Sequence, residues 1–221
     1  MNSHPHFITS DWNCLGQSIG ILGGTFDPIQ RAHIEMAQAA LAHGFVDSVV
    51  LIPAKQNPHK DQLPHASDEA RLAMIQRAVG TAPNLYYSDI EITSPDRSYT
   101  HTTITKLRHI VPETTKLFFV LGADAAVSLP RWHRINELVS MIDGFLVFPR
   151  QESVATVCDG LCRQGAQAIT SKMTPVPLAQ QYQEISSTNI RTALDEGNQS
   201  LLLASLDKDV LAYIQEKKLY Q

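Results

Sequence analysis

The sequence predicts an α/β domain built on a doubly wound, mainly parallel sheet, and three observations carry that prediction. Short apolar runs alternate with longer stretches of helical period along most of the chain. The runs are apolar throughout rather than at every second position, the pattern of strands buried on both faces. No internal repeat, low-complexity tract or linker interrupts the succession, so one domain over residues 18–221 is expected, preceded by an extension of residues 1–17.

In order, Ser18–Leu22 forms the first strand and runs into Gly23-Gly24. Residues 31–43 read as a helix with Ile34, Ala37 and Leu41 on one face and Gly44 as its stop. Ser48–Ile52 (SVVLI) is a buried strand, and residues 53–66, with three prolines, form a long loop. Ser67 caps a helix that starts with Asp68 and Glu69 and turns Leu72, Ile75 and Val79 inward. Leu85–Tyr87 and Ile90–Ile92 are short extended pieces, followed by a helix from Thr100 to His109. Lys116–Leu121 and Gly144–Phe148 are two more buried strands. Residues 151–164 are weakly helical, residues 174–185 extended and proline-broken, and two helices close the sequence at 188–196 and 207–217. In the extension, Phe7, Trp12 and Leu15 offer apolar side chains that can dock on the body.

Composition excludes several function classes. Eighteen Lys and Arg against 22 Asp and Glu leave a net charge of −4, so the molecule is no polycation for nucleic acid or an anionic membrane, and any phosphate needs a local site. Cys14, Cys158 and Cys162 contain no CxxC pair, which indicates neither a disulfide framework nor a zinc ribbon. No Lys or Arg precedes Arg31, and no apolar run reaches the length of a membrane span. The expectation is a soluble, cytoplasmic protein with no protein-held metal.

Two helix starts stand out. Ile21–His33 reads ILGGTFDPIQRAH: a strand, two glycines, a turn and a helix, with His33 in the early helix. A backbone without Cβ atoms admits a close ligand, and a helix N-terminus presents unpaired N–H groups and partial positive charge. The segment is neither GxGxxG nor GxxxxGK[ST]. Its plain alternative is an ordinary turn with Asp27 as N-cap, Pro28 at the first helical position and Gln30 completing a capping box. The second segment, Glu184–Gly197 (EISSTNIRTALDEG), puts Arg191 in a helix's first turn, the wrong end for a cation at about 0.3–1 kcal/mol unless an anion compensates. Both could lie at the carboxyl edge of the sheet, where open α/β sheets bind ligands.

At these residues the chain resembles the bacterial nicotinate-nucleotide adenylyltransferases of the nucleotidyltransferase superfamily, whose hallmarks are GGTFDPxHxGH and ISSTxIR. GGTFDPIQRAH (23–33) and ISSTNIR (185–191) match in order. The resemblance continues through IPAKQNPHK (52–60), DEARLAMI (68–75), RSYTHTTI (97–104), VLGADAAVSLPRWHRINEL (120–138) and VLAYIQEKKLY (210–220). It implies a Rossmann-like nucleotidyltransferase fold and transfer of AMP from ATP to nicotinate mononucleotide, with Mg²⁺ arriving with ATP. It also implies site roles. Gly23, Gly24, Thr25 and Phe26 would shape the nucleotide pocket, and His33 would contact ATP phosphates. Ser187, Thr188 and Arg191 would cradle pyrophosphate, with Lys60 as a further phosphate contact. On the acceptor side, Asp124 would meet a ribose or the adenosine side, Trp132 would stack on the pyridine ring, and the backbone around Tyr99 and Thr100 would take the nicotinate carboxylate. A homo-oligomer is compatible with the sequence.

Two positions depart from the family pattern. Gln30 stands where the motif has its first histidine, and Ala32 where it has a glycine, adding a methyl where nucleotide and helix are expected to come close. A glutamine amide donates a hydrogen bond but carries no charge. A slow enzyme, a different phosphorylated acceptor, and a nucleotide-binding relative without turnover therefore stay open beside an active enzyme. Among the other histidines, His4 and His6 form an HxH pair in the extension, read as a solvated tail or a metal site. His43, His65, His101 and His109 have no motif partner, and His59 and His133 merely neighbour better candidates.

Overall fold

Six parallel strands make one sheet in the order β3-β2-β1-β4-β5-β6: β1 Ser18–Gly24, β2 Ser48–Pro53, β3 Leu85–Tyr87, β4 Lys116–Gly122, β5 Gly144–Phe148 and β6 Met173–Pro175. The structure is a computed structural model that describes residues 6–8, 12–56 and 63–220. Along the sheet's centre Ile21 lies opposite Val50 on one side and Phe119 on the other. Strand residues supply two apolar layers in alternation. Val49 and Leu51 of β2 enter one layer and Val50 and Ile52 the other; in β5, Leu146 and Phe148 divide from Phe145 and Val147 in the same way. Continuous apolar runs were the sequence signal for this, and the cause is helices on both faces.

Those helices are α1 Arg31–Ala42, α2 Asp68–Val79, α3 Thr100–Ile110, α4 Ala123–Ala126, α5 Ile135–Met141, α6 Val154–Arg163, α7 Gln167–Thr170, α8 Ser187–Glu196, α9 Gln199–Ser205 and α10 Lys208–Lys217. α1, α2, α8, α9 and α10 pack on one face through Met36, Met74, Ile190, Leu202 and Ile214. α3, α5 and α6 cover the other through Leu107, Leu138 and Leu161. The chain leaves β1 for β2 on one side, while β4 lies on the other. The order thus reverses between β1 and β4, and a crevice opens at their carboxyl ends.

Three local expectations are corrected. Ile90–Ile92 is a turn, not an extended piece: Thr93 N donates to Asp89 O at 2.9 Å, and the Glu91 carboxylate takes the Thr103 hydroxyl at 2.6 Å. The segment closing the chain holds a further helix, α9, whose N-cap Asn198 accepts from Leu201 N at 3.2 Å. α1 begins after Gln30, not after Asp27, so Asp27 is not its N-cap. The described part of the extension docks. Tyr87 N donates to His6 O at 3.0 Å and Ile8 N to Tyr87 O at 2.9 Å, adding a short parallel rung to β3, while Trp12 and Leu15 are buried.

Candidate active site

The crevice at the ends of β1 and β4 is a cleft of about 440 Å³, and both helix starts singled out in the sequence open onto it. Gly23, Gly24, Thr25 and Phe26 form its floor as β1 ends. Gln30 and His33 enter from α1, and Ser187, Thr188 and Arg191 from the first turn of α8. Tyr99 and Thr100 at the start of α3, together with Asp124 and Trp132, form the far wall. Lys60 lies outside the described residues, as do His4 and His59.

The β1–α1 loop is held from behind by its carbonyls. The Thr25 carbonyl accepts from Nη1 of Arg71, a fully buried α2 side chain, at 2.7 Å. The Asp27 carbonyl accepts from Arg191 Nη1 at 2.6 Å, and the Pro28 carbonyl from the Ser187 hydroxyl at 3.0 Å. Donors from α2 and α8 thus tie up oxygens that would repel an anion in the cleft. Phe26 sits at φ 50°, a left-handed conformation costly for an aromatic residue, and its ring meets the His33 ring edge-on at 4.9 Å. A Cβ on Gly24 would lie 3.0 Å from that Phe26 ring, so the glycine lets the loop close.

The Asp27 side chain turns away from its own helix. Its carboxylate accepts His65 N at 2.8 Å, Ala66 N at 3.0 Å, the Tyr220 hydroxyl at 2.9 Å and contacts His65 Nδ1 at 3.2 Å. Burial pushes its pKa up, but these hydrogen bonds outweigh burial and leave it below the ordinary value. The capping-box reading of Asp27 therefore fails, because its acceptor capacity is filled by the β2–α2 loop and the tail after α10.

His33 is deprived of charge. Burial first, then the Arg150 guanidinium, pulls its pKa from 6.5 to about 3, so the imidazole is neutral. Gln30 N donates to His33 Nδ1 at 3.3 Å, which leaves the ring proton on Nε2. The Gln30 amide end lies 3.4 Å from that Nε2, and Gln30 Oε1 is otherwise buried without a partner. Two N–H donors cannot share a hydrogen bond, so the amide oxygen belongs at this contact. Gln30 itself is only 4% exposed. Ala32, expected to crowd the nucleotide, is fully buried and does not line the cleft; its methyl packs inward.

Ser186 caps α8 by accepting Asn189 N at 3.1 Å, which leaves the earlier N–H groups of Ser187 and Thr188 at the cleft edge. Arg191 spends one donor on the Asp27 carbonyl and another on the Thr188 hydroxyl at 3.4 Å, which fixes the guanidinium at the meeting point of the two helix starts. On the far wall, the Tyr99 and His133 rings lie 4.5 Å apart, and Trp132 stands at right angles to Phe119, its Nε1 held by the Ser128 hydroxyl at 2.9 Å. Gly122 permits the tight approach of Asp124, whose Oδ1 would be 2.2 Å from any added Cβ.

Sequence reasoning missed three contributors. Arg150, two residues past β5, is buried beside the cleft; it donates to the Ile185 carbonyl, faces Asp124 electrostatically and keeps its Nε–H buried without a partner. Its signal was available, since a cation just beyond a buried strand sits at the ligand-binding edge of such a sheet. His101 and His133 also line the cleft, with His101 Nε2 3.4 Å from Glu137. Among the described residues no group of three or more His, Cys, Asp or Glu could hold a metal ion. No described helix is long and apolar enough to cross a membrane.

Residues 21–193 match the cytidylyltransferase-like family. A protein of Oceanobacillus iheyensis named "Probable nicotinate-nucleotide adenylyltransferase" is 33% identical over 207 residues, covering 92% of this chain and 97% of that one. A protein of Enterococcus faecalis with the same name is 34% identical over 205 residues, covering 93% and 85%. Among solved structures, the nicotinic acid mononucleotide adenylyltransferase of Plasmodium falciparum complexed with APC superposes with a TM-score of 0.73 at 17% identity, over 93% of this chain and 98% of that one. The same enzyme complexed with NaAD gives 0.74 at 16% identity. At that identity the likeness concerns the fold.

Proposed function

The chain belongs to the nicotinate-nucleotide adenylyltransferases within the cytidylyltransferase-like family, and from that premise we propose that its cleft transfers AMP from ATP to nicotinate mononucleotide, giving deamido-NAD and pyrophosphate. The observation that carries the reading is the convergence of the α1 and α8 starts, with His33 and Arg191, on one cleft whose far wall is the start of α3.

The acceptor's 5′-phosphate is already an anionic nucleophile, so the reaction needs no covalent intermediate and no strong base. Catalysis is alignment of that oxygen with the α-phosphorus and neutralisation of the charge that builds on the leaving pyrophosphate. Arg191 and the first-turn N–H groups of α8 take the pyrophosphate. The α1 start and the glycine floor hold the inner phosphates, with neutral His33 donating from Nε2 to a phosphate oxygen in exchange for the Gln30 amide. Arg150 adds permanent positive charge beside them. Magnesium would enter as part of the substrate, carried by ATP phosphates and water; the Asp27 carboxylate in the β1–α1 loop is already filled by donors.

The acceptor occupies the far wall. Trp132 packs on the pyridine ring, Asp124 takes a ribose hydroxyl, and the α3 N-terminus at Tyr99 and Thr100 faces the ring substituent. A helix start favours a carboxylate over a carboxamide through its partial positive charge, which is the physical basis for preferring the acid mononucleotide. A cytoplasmic location, where ATP is supplied, goes with this reading.

The test is pyrophosphate release from ATP with nicotinate mononucleotide, nicotinamide mononucleotide and other phosphorylated acceptors. Preference for the acid is expected. Activity restricted to the amide would overturn the acceptor assignment, and tight ATP binding without turnover on any acceptor would make the chain a nucleotide-binding relative.

A further inference from the structure

The motif VLAYIQEKKLY (210–220) carries no role in the reaction as described, yet its last residue reaches the site. α10 ends at Lys217, and the three residues that follow double back: Leu219 N donates to Ile214 O at 3.0 Å, and Lys218 and Tyr220 both adopt left-handed backbone, at φ 51° and 64°. Two non-glycine residues in that region within three positions are disfavoured, so tertiary contacts must hold the path. The contact is the Tyr220 hydroxyl on Asp27 Oδ1 at 2.9 Å. Burial, and then the Asp27 carboxylate, push the Tyr220 pKa up, which keeps the hydroxyl protonated as the donor of this bond.

Asp27 is the residue at which the loop's fastenings meet. Its carbonyl holds Arg191 at 2.6 Å, and its carboxylate holds both His65 and Ala66 backbone N–H groups of the β2–α2 loop. The carboxylate is 5% exposed as a residue, so water does not substitute for a lost donor at little cost. Releasing Tyr220 takes one of the two donors off Asp27 Oδ1, which loosens the residue whose backbone carbonyl orients the Arg191 guanidinium.

We propose that Tyr220 is a positioning residue for adenylyl transfer, its hydroxyl clamping Asp27 so that the β1–α1 loop and Arg191 are set for the triphosphate. The inference rests on the assignment of this cleft to ATP and adds to it a residue on the far side of the loop.

Tyr220→Phe removes the hydroxyl and keeps the ring. Equilibrium binding gives Kd for ATP, and pyrophosphate release gives KM for ATP and for nicotinate mononucleotide separately. The expected result is ATP Kd and KM raised about tenfold, with KM for the mononucleotide held within about twofold. A purely structural tyrosine would lower the melting midpoint and leave both constants of the folded protein unchanged, or move both alike; either outcome overturns the proposal. Should the variant be too unstable to assay, Asp27→Asn weakens the same hydrogen bond from the acceptor side and must show the same ATP-selective loss, and an unselective loss overturns the clamp. If the parent protein binds ATP but turns over no acceptor, the reaction assignment fails, whereas the ratio of ATP Kd values still decides the role of Tyr220.

Discussion

Acidification should cost this protein stability through His33, by an amount that can be worked out. The ring's pKa falls from 6.5 to about 3 because burial and Arg150 disfavour the charged form. A basic group with a depressed folded value favours the neutral ring in the fold. Its contribution is complete above 6.5 and is lost as pH falls from 6.5 toward 3, where the unfolded chain binds a proton that the folded chain refuses. Between about pH 7.5 and about pH 5 this group alone removes about 2 kcal/mol, equivalent to about 4–8 °C in melting midpoint for a chain of this size. The comparison that isolates it is the parent protein against His33→Gln, unfolded by denaturant at both pH values, because every other titrating group cancels in the difference. The stability gap between the two should move in the variant's favour by about 2 kcal/mol at the lower pH. A gap independent of pH would show that His33 titrates near its ordinary value, and the neutral-donor role given to it would fall.

Two substitutions probe the phosphate side directly. Gln30→His restores a ring at the α1 cap, and turnover measured by pyrophosphate release should hold or rise, up to about tenfold; a collapse would show that the amide is built into a different local geometry. Arg191→Ala should lower kcat/KM for ATP by about 10²–10³-fold. Its folding cost should stay near about 1.5 kcal/mol or below, because the side chain is partly exposed and loses one short bond to the Asp27 carbonyl and a long one to the Thr188 hydroxyl; unchanged turnover would remove its part in holding pyrophosphate.

The strands were legible because burial on both faces writes itself as an unbroken apolar run, and β5 falls at Gly144–Phe148, where its run predicts it. What was illegible depended on partners far along the chain. Asp27 satisfies every local rule for an N-cap, but its partners are His65, Ala66 and Tyr220, and no local rule sees them. Ile90–Ile92 alternates like a strand, yet the half-buried Glu91 carboxylate takes the Thr103 hydroxyl and the segment turns, with Thr93 N on Asp89 O. The side of α1 that Ala32 occupies was in fact readable. Ala32, Met36 and Ala40 fall four apart on one row and all three are buried; of the row only the longer Met36 side chain reaches the cleft. Arg150 belongs to no motif and was readable only by position, as a single cation just beyond a buried strand.

The buried row also alters the weight of the two departures from the family pattern. Ala32 places its methyl in the core, so it takes no room from a nucleotide. Gln30 replaces a histidine beside His33, in surroundings that already hold His33 neutral with a pKa of about 3. A second imidazole set into the same buried corner, where Gln30 is 4% exposed, would meet the same kind of desolvation. Before a triphosphate arrives it would be neutral as well, and would offer what an amide offers: one polar contact to the neighbouring ring. In the proposed reaction the standing positive charge comes instead from the guanidinium groups of Arg150 and Arg191. The substitution therefore costs whatever charge an incoming polyanion could induce on that second ring. That loss falls on ATP binding to the extent that the charge forms as ATP docks, and on the rate of transfer beyond that.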